Sequence, residues 1–126
     1  MSALLLHATF ALGGGAGAVV RHALGRLVVH RFPLATLLIN VLGSLILGAA
    51  LTVTNDAVAA AGTVPQRLVI GFCGGFTTFS SFAVQSLALR ETHSTTYLLA
   101  NVALNLTLCL SAFLTGAWLS DALFGA

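Results

Sequence analysis

The sequence predicts an all-α membrane protein in which one chain of 126 residues crosses the bilayer four times. Hydrophobic residues make up 58% of the chain and charged residues only 6%, whereas a soluble domain carries about 25% charged residues. A chain with so few charges has too little polar surface to face water on all sides. Because a transmembrane helix needs about 20 apolar residues, four spans with short connections fill the whole length as a single domain, residues 1–126.

The first span is predicted over residues 3–20, and it ends at Arg21. Its centre, Gly13 to Gly17, contains small residues four apart, a spacing that lets two helix backbones approach closely in a membrane. Helix packing is therefore the simplest explanation of these glycines. A polar connection rich in arginine and histidine is predicted to follow over residues 21–33.

The second span is predicted over residues 34–54 and the fourth over residues 96–119. Each carries polar or small residues four apart, which stay near one face of a helix. These are Thr36, Asn40, Ser44 and Gly48 in the second span, and Asn101 and Asn105 in the fourth. An unpaired amide or hydroxyl in hydrocarbon costs several kcal/mol, so both faces are predicted to turn inward. Their polar side chains either form hydrogen bonds that hold the bundle together or line a polar passage.

The third span, predicted over residues 66–89, contains the most informative stretch, Gly71 to Phe82. Its adjacent glycines each carry a helix penalty of about 1 kcal/mol, and we therefore predict a helix break at Gly74-Gly75. A break at bilayer depth is tolerated only where it is buried in protein or lines a polar cavity. Released carbonyls can hold a cation and released N–H groups an anion, so the break favours transport over simple anchoring.

Phenylalanines recur every three residues around this break, at Phe76, Phe79 and Phe82. Packing in the core or against lipid is the usual role of such a stripe. Aromatic ring edges also carry a partial positive charge, so the rings can face an anion. Arg21, at the predicted end of the first span, would raise the local anion concentration at a pore mouth; its alternative role is that of an interfacial arginine.

The positions of the acidic residues argue against transport that is coupled to protons. Asp56, Glu91 and Asp121 all fall in predicted loops or in the tail. A four-span multidrug exporter, the main alternative, depends on a membrane-embedded titratable group, and none is predicted here. A scaffold packed through small residues is the second alternative, and it leaves the hydroxyl-rich interruption unexplained. The sequence contains no nucleophile–base pair, metal-ligand cluster or phosphate loop, so we do not expect an enzyme.

Three stretches of the chain are similar to one known family. The string GFCGGFTTFSSF, Gly71 to Phe82, resembles the third-helix signature of the Fluc (CrcB) fluoride channels. GGGAGAVVRH, Gly13 to His22, is similar to their first helix, and PLATLLINVLGSLILG, Pro33 to Gly48, to their second. This resemblance implies a fluoride-selective channel of the cell inner membrane. It would let cytoplasmic fluoride leave passively and so confer fluoride resistance.

The resemblance also implies an assembly and a cofactor. Subunits of that family form antiparallel, dual-topology homodimers with two pores, although a heterodimer with a paralogous subunit stays open. Four of the five arginines fall on one side of the predicted topology, a weak asymmetry that agrees with dual insertion. Backbone carbonyls at the break hold a structural sodium ion at the dimer centre; by position these belong to Gly74 and Thr77.

Residue roles follow from the same resemblance. Arg21 matches the vestibule arginine, Phe79 and Phe82 the paired pore phenylalanines, and Ser81 lies between them. The fourth helix departs from the family pattern, because Asn101 and Asn105 stand where many members carry Tyr and Ser. The fluoride-pore residues expected in this chain are Asn40, Thr78, Phe79, Ser81, Phe82, Asn101 and Asn105.

Overall fold

The structure, a computed structural model, describes residues 3–27, 32–52 and 63–124. These residues form five helices: α1 (Ala3–Leu27), α2 (Leu34–Thr52), α3 (Val64–Phe76), α4 (Phe79–Thr92) and α5 (Thr95–Phe124). The first, second and last are each long and apolar enough to cross a membrane, and α3 and α4 together form one more such segment. The all-helical, four-span prediction is thereby confirmed. Parts of both long connections, the end of the predicted second span and Asp56 lie outside the described residues.

Helix α1 packs mainly against α3, through glycines on both helices. A side chain at Gly13 or Gly17 would collide with the α3 backbone at Leu68 or Phe72. From the other side, a side chain at Gly75 would meet the backbone of Gly14. Lipid gives helices no hydrophobic reason to associate, so close backbone packing of this kind supplies much of the attraction. The packing role predicted for the first-span glycines is what the structure shows.

Helices α2 and α5 form the second tightly packed pair. Gly48 lies against the backbone of Phe113, and Gly116 lies against the backbone of Leu45. The core of the subunit thus consists of two helix pairs, α1 with α3 and α2 with α5. Helix α2 also contacts α3, whereas α4 rests mainly on α5.

The break in the third span lies at Thr77-Thr78, so its predicted position at Gly74-Gly75 was wrong. Helix α3 continues through both glycines to Phe76. The close contact of Gly75 with α1 is compatible only with a residue that lacks a side chain, and this packing outweighs the low helix propensity of glycine. Thr77 and Thr78 then adopt extended backbone, with φ/ψ of −77°/160° and −150°/120°.

The two threonines cap the helix ends that the break creates. The Thr77 N–H and hydroxyl both donate to the Cys73 carbonyl, at 3.0 and 2.9 Å. The Thr78 hydroxyl oxygen accepts the Ser81 N–H at 3.2 Å as the N-cap of α4. Side chains thus provide hydrogen bonds that water would provide outside a membrane.

Two helices continue beyond the predicted span ends. The first span was predicted to end at residue 20, but α1 continues to Leu27 and includes Arg21. The last was predicted to end at residue 119, but α5 continues to Phe124 and includes Asp121. Thirty residues of helix measure about 45 Å at 1.5 Å per residue, more than the roughly 30 Å of hydrocarbon. The helices therefore extend beyond the hydrocarbon. Outside it, a polar side chain such as that of Asp121 can point into water without ending the helix.

Contact between α1 and α3 predicts a sharp difference between two glycines on the same helix. Gly17→Ala should lower the stability by about 1–3 kcal/mol, because the new methyl group meets the Phe72 backbone. Gly15→Ala is the matched control, since no atom of another helix lies within 4 Å of the position that its Cβ would take. Thermal unfolding in detergent micelles measures both variants. Equal melting temperatures for the two would contradict the packing described.

The cap at Thr78 predicts a second stability difference. Thr78→Val keeps the side-chain volume but leaves the Ser81 N–H without its acceptor, which should cost about 0.5–2 kcal/mol. Thr78→Ser keeps the hydroxyl and should restore most of that stability. Thr107→Val is the control, because the Thr107 hydroxyl bonds only carbonyls of its own helix. A Thr78→Val variant as stable as the control would show that the cap contributes nothing.

Candidate functional site

Two cavities meet at the helix break, and Thr78 lines both. The first, which we call the basic cavity, has a volume of about 530 Å³. Besides Thr78, its polar lining comprises Arg21, His22, Arg26, Thr36, Ser81 and Gln85. The second, the phenylalanine groove, has a volume of about 470 Å³. Its lining includes Asn40, Ser44, Thr77, Phe79, Phe82 and Asn105.

The basic cavity has an electropositive lining. Two arginines and one histidine of α1 face it, and no carboxylate is among the described residues that line it. Opposite them, on α4, lies Gln85, whose Oε1 atom is buried and accepts no hydrogen bond from any described residue. Unbalanced positive charge in a concave site raises the local concentration of anions. The cavity can therefore attract an anion toward the break.

Arg21 lies within α1 rather than at its end, and it lines the basic cavity. It precedes the end of α1 by six residues, or about 9 Å at 1.5 Å per residue. Its Nη1 atom donates a hydrogen bond of 3.3 Å to the Thr77 carbonyl. The structure thus brings the guanidinium to the helix break itself.

The phenylalanine groove contains two of the three phenylalanines in the predicted stripe. Phe79 and Phe82 lie on α4 with ring centroids 5.6 Å apart and ring planes inclined by 53°. Phe79 is 79% exposed. Phe76 lies before the break on α3, where it is buried and stacks on Phe72. The break therefore divides the stripe into one core residue and a pair that lines the groove.

Asn40 on α2 binds the peptide backbone at the break with both ends of its amide. Its Oδ1 accepts the Thr78 N–H at 2.8 Å, and its Nδ2 donates to the Thr78 carbonyl at 3.1 Å. In an uninterrupted helix the Thr78 N–H would bond the Gly74 carbonyl. Here the Thr78 N–H donates to Asn40 Oδ1 instead, so the Gly74 carbonyl does not receive this hydrogen bond.

A chain of neutral side chains continues from Asn40 into α5. The Asn40 Nδ2 also donates to Asn105 Oδ1 at 3.4 Å, and Asn105 Nδ2 donates to Asn101 Oδ1 at 3.1 Å. Asn101 Nδ2 donates in turn to Ser86 Oγ at 2.8 Å. Asn105 lines the phenylalanine groove, whereas Asn101 is only 1% exposed and lies behind it.

Of the predicted pore residues, five therefore line one groove: Asn40, Thr78, Phe79, Phe82 and Asn105. Ser81 faces the basic cavity instead and accepts a hydrogen bond from the Thr78 hydroxyl at 3.1 Å. Ser86 is the polar residue that sequence reasoning missed. It follows Phe82 by four residues, the same spacing that marked Asn40 and Ser44, so the signal was present.

The two residues whose carbonyls are expected to bind sodium line one further cavity, of about 320 Å³. Gly74 and Thr77 both line it, and carbonyl oxygens suit hard cations. The described residues contain no cluster of three His, Cys, Asp or Glu side chains that could hold a metal. Two carbonyls, one of them shared with Arg21, are fewer ligands than a hard cation takes.

Comparison with known proteins agrees with this architecture. A family model described as CrcB-like protein, Camphor Resistance (CrcB), matches residues 8–117. A fluoride-specific ion channel FluC of Rhodospirillum rubrum is 38% identical over 115 residues, which cover 86% of each chain. FluC 2 of Rhodococcus jostii is 42% identical, over 86% of this chain and 90% of its own. FluC of Saccharophagus degradans is 34% identical, over 97% of this chain and 94% of its own. With four spanning segments, the chain is a multi-pass integral membrane protein, and it belongs to the CrcB family.

Proposed function

We propose that this protein is a fluoride-specific ion channel through which fluoride leaves the cytoplasm down its electrochemical gradient. The observation that carries the proposal is the break at Thr77-Thr78, where an uncharged groove of phenylalanines, amides and hydroxyls meets an electropositive cavity. The curated relatives named as fluoride-specific channels match most of this chain, which supports the same conclusion. The family is one of channels, so the protein is a transporter rather than an enzyme.

Electrostatics at the break favour an anion on the side of α4. This helix begins at Phe79, well inside the Val64–Thr92 segment that spans the membrane. A helix N-terminus carries about half a positive charge, and in low dielectric its effect is strong. The rings of Phe79 and Phe82 follow immediately, and their edges are also electropositive.

Fluoride must exchange its tightly held water for protein groups within such a path. The Thr78 hydroxyl gives its proton to Ser81, whose own hydroxyl proton is then available to the ion. The amides of Asn40 and Asn105 line the phenylalanine groove, and an N–H that binds fluoride would leave its present acceptor. Asn101 supports this lining from behind Asn105. Several modest contacts let the ion leave again, as conduction requires. The narrow track would exclude the larger chloride ion.

A structural sodium ion is the second part of the proposal. Gly74 and Thr77 lie at the C-terminal end of α3, which carries the negative end of a helix dipole. Their carbonyls form an incomplete ligand set, and a second, antiparallel copy of the subunit would complete it. We therefore propose a dual-topology homodimer with sodium at its centre. Bound sodium would hold these carbonyls together and add positive charge beside the anion path.

The main alternative, a multidrug exporter, has no support in the polar residues of the spans. Among the described residues the only carboxylates are Glu91, at the end of α4, and Asp121, near the end of α5. Neither faces the basic cavity or the phenylalanine groove. An organic cation carried in exchange for protons would lack the buried acid that this exchange needs.

Fluoride efflux from vesicles containing the purified protein tests the pore residues. Phe79→Ile and Phe82→Ile remove the electropositive ring edges, and each should slow efflux by about tenfold or more, a barrier increase of about 1.4 kcal/mol. Asn40→Asp replaces the amide donor with a negative charge in the groove and should reduce efflux to background. A fluoride-selective electrode gives the rates.

Phe124→Ile is the matched control, because Phe124 is also exposed, at 71%, but lies at the end of α5. Its efflux should equal that of the unaltered protein. Unchanged flux in all three pore variants would remove these residues from the pathway. Vesicles that never release fluoride would instead favour a non-transporting scaffold.

Sodium should stabilise the protein without being carried with fluoride. Replacing N-methylglucamine by sodium should raise the melting temperature, since a ligand at 100 times its Kd adds about 2.7 kcal/mol to the free energy of unfolding. The particle mass should be twice the 12.9 kDa of one chain. Sodium and potassium gradients should leave the reversal potential for fluoride unchanged. Identical melting temperatures in both cations would exclude the proposed site.

A further inference from the structure

The N-terminal end of α2 forms part of the wall of the basic cavity, which residues 33–36 line. The first N–H groups of a helix have no carbonyl partner within the helix and need one from outside. At this end the Leu34 N–H donates to the Phe32 carbonyl at 2.7 Å, whereas the N–H groups of Ala35 and Thr36 donate to no described residue. Two backbone donors in the cavity wall therefore remain free.

The side chain of Thr36 is a second sign that this wall is built for a ligand. Thr36 is 6% exposed and lines the basic cavity, yet its hydroxyl forms no hydrogen bond with any described residue. Threonines elsewhere in the chain bond a carbonyl of the preceding turn, as Thr107 and Thr115 do. A largely buried hydroxyl without a partner is unfavourable. An acceptor bound in the cavity would supply that partner.

Arg26 is the arginine of this cavity whose guanidinium is not engaged. Arg21 donates to the Thr77 carbonyl, whereas Arg26 forms no hydrogen bond or ion pair with a described residue. It is exposed and lies in the last turn of α1. The planar fork of a guanidinium matches two oxygens of one phosphate group, and a helix N-terminus also favours a phosphate.

The size and the position of the cavity fit an anion larger than a halide. Its volume of about 530 Å³ lies in the range of about 300–1,000 Å³ that is typical of small-molecule sites. It reaches from Thr78 at the break to the end of α1 at Leu27 and the start of α2 at Leu34. Ends of spans lie near the lipid headgroups, and basic pockets between transmembrane helices bind the phosphates of such headgroups.

We propose that the basic cavity binds a phosphate group between Arg26 and the start of α2, with the Thr36 hydroxyl as a further contact. The group belongs to an anionic lipid or to inorganic phosphate, since both present the same oxygens. Gln85 on the opposite wall does not prevent this, because no hydrogen bond from a described residue holds its amide, and its NH₂ group can turn to the phosphate.

Binding does not require the proposed function, but the consequence of binding rests on it. The basic cavity is the electropositive approach to the break, so a phosphate group held there occupies the path of fluoride. Its negative charge also cancels the field that attracts a second anion. Bound phosphate should therefore slow fluoride conduction.

Binding is measured on the purified protein in the uncharged detergent dodecyl maltoside. Inorganic phosphate is the probe, chloride keeps the ionic strength constant, and the rise in melting temperature with phosphate gives an apparent Kd. Arg26→Gln should raise this Kd about tenfold or more, the loss expected for a hydrogen bond to a charged group. Arg26→Lys keeps the charge without the fork and should fall between Arg26→Gln and the unaltered protein.

Two controls isolate the site. Arg90→Gln should leave the Kd unchanged, because Arg90 is also exposed in the last turn of its helix but lines neither the basic cavity nor the phenylalanine groove. Thr36→Val should raise the Kd about threefold or more. Thr107→Val, which loses a hydroxyl bonded only within its own helix, should not.

Fluoride efflux from vesicles distinguishes the two sources of phosphate. Vesicles of phosphatidylcholine alone are compared with vesicles that also contain phosphatidylglycerol, each with and without inorganic phosphate. A negative surface repels fluoride from every variant alike, and Arg90→Gln measures that general effect. Slowing by phosphatidylglycerol that is about threefold weaker in Arg26→Gln than in Arg90→Gln identifies a lipid headgroup. The same difference with inorganic phosphate in phosphatidylcholine identifies the free ion.

The outcomes separate this inference from the channel. Arg26→Gln and Arg90→Gln that agree in Kd and in their response to both phosphate sources would overturn the phosphate site and leave the channel intact. Phosphate binding that Arg26→Gln weakens, in a protein that never conducts fluoride, would support the site and overturn the channel. If Thr36→Val does not fold, Arg26→Gln and Arg26→Lys decide, since Arg26 is exposed.

Discussion

A peptide group that leaves a helix inside a bilayer must find another hydrogen-bond partner, and in this protein Thr78 finds the amide of Asn40. Hydrocarbon offers no water as a substitute partner, and an unsatisfied N–H or carbonyl there costs several kcal/mol. Asn40 satisfies both groups of the same residue, much as a neighbouring strand would. The break in the third span can therefore exist only because α2 presents an asparagine to it, and both cavities depend on the break.

The same break places two opposite helix ends close together. The end of α3 concentrates carbonyl oxygens, whereas the start of α4 concentrates N–H groups. Left alone, the carbonyl end would repel an anion that approaches the start of α4. The hydrogen bond from Arg21 to the Thr77 carbonyl offsets that negative end, and a bound cation would offset it further. With the negative end of α3 neutralised in this way, the electrostatic potential along the anion path is set by the positive start of α4.

Local sequence pattern was enough to predict the spans and the inward polar faces, because both follow from hydrophobicity and helical period. It misplaced the break, because the penalty of Gly75 in a helix is local, whereas its contact with α1 comes from the fold. The three-residue spacing placed Phe76 in one stripe with Phe79 and Phe82, although only Phe79 and Phe82 were predicted to line the pore. Ser86 was overlooked although its spacing from Phe82 marked it; what the sequence could not show is the residue of another helix that it bonds.

Helix α4 is held differently from the other helices, and this explains the chemistry of the pathway. It contains no glycine, so it lacks the close backbone contacts that join α1 to α3 and α2 to α5. Hydrogen bonds from Asn40 and Asn101 fix it to its neighbours instead, an attraction that operates in lipid. Carboxylates in these positions could hold the helix as well, but they would place negative charge beside an anion and carry a higher cost of burial. Neutral amides position the phenylalanine pair without adding any charge that the passing ion would have to overcome.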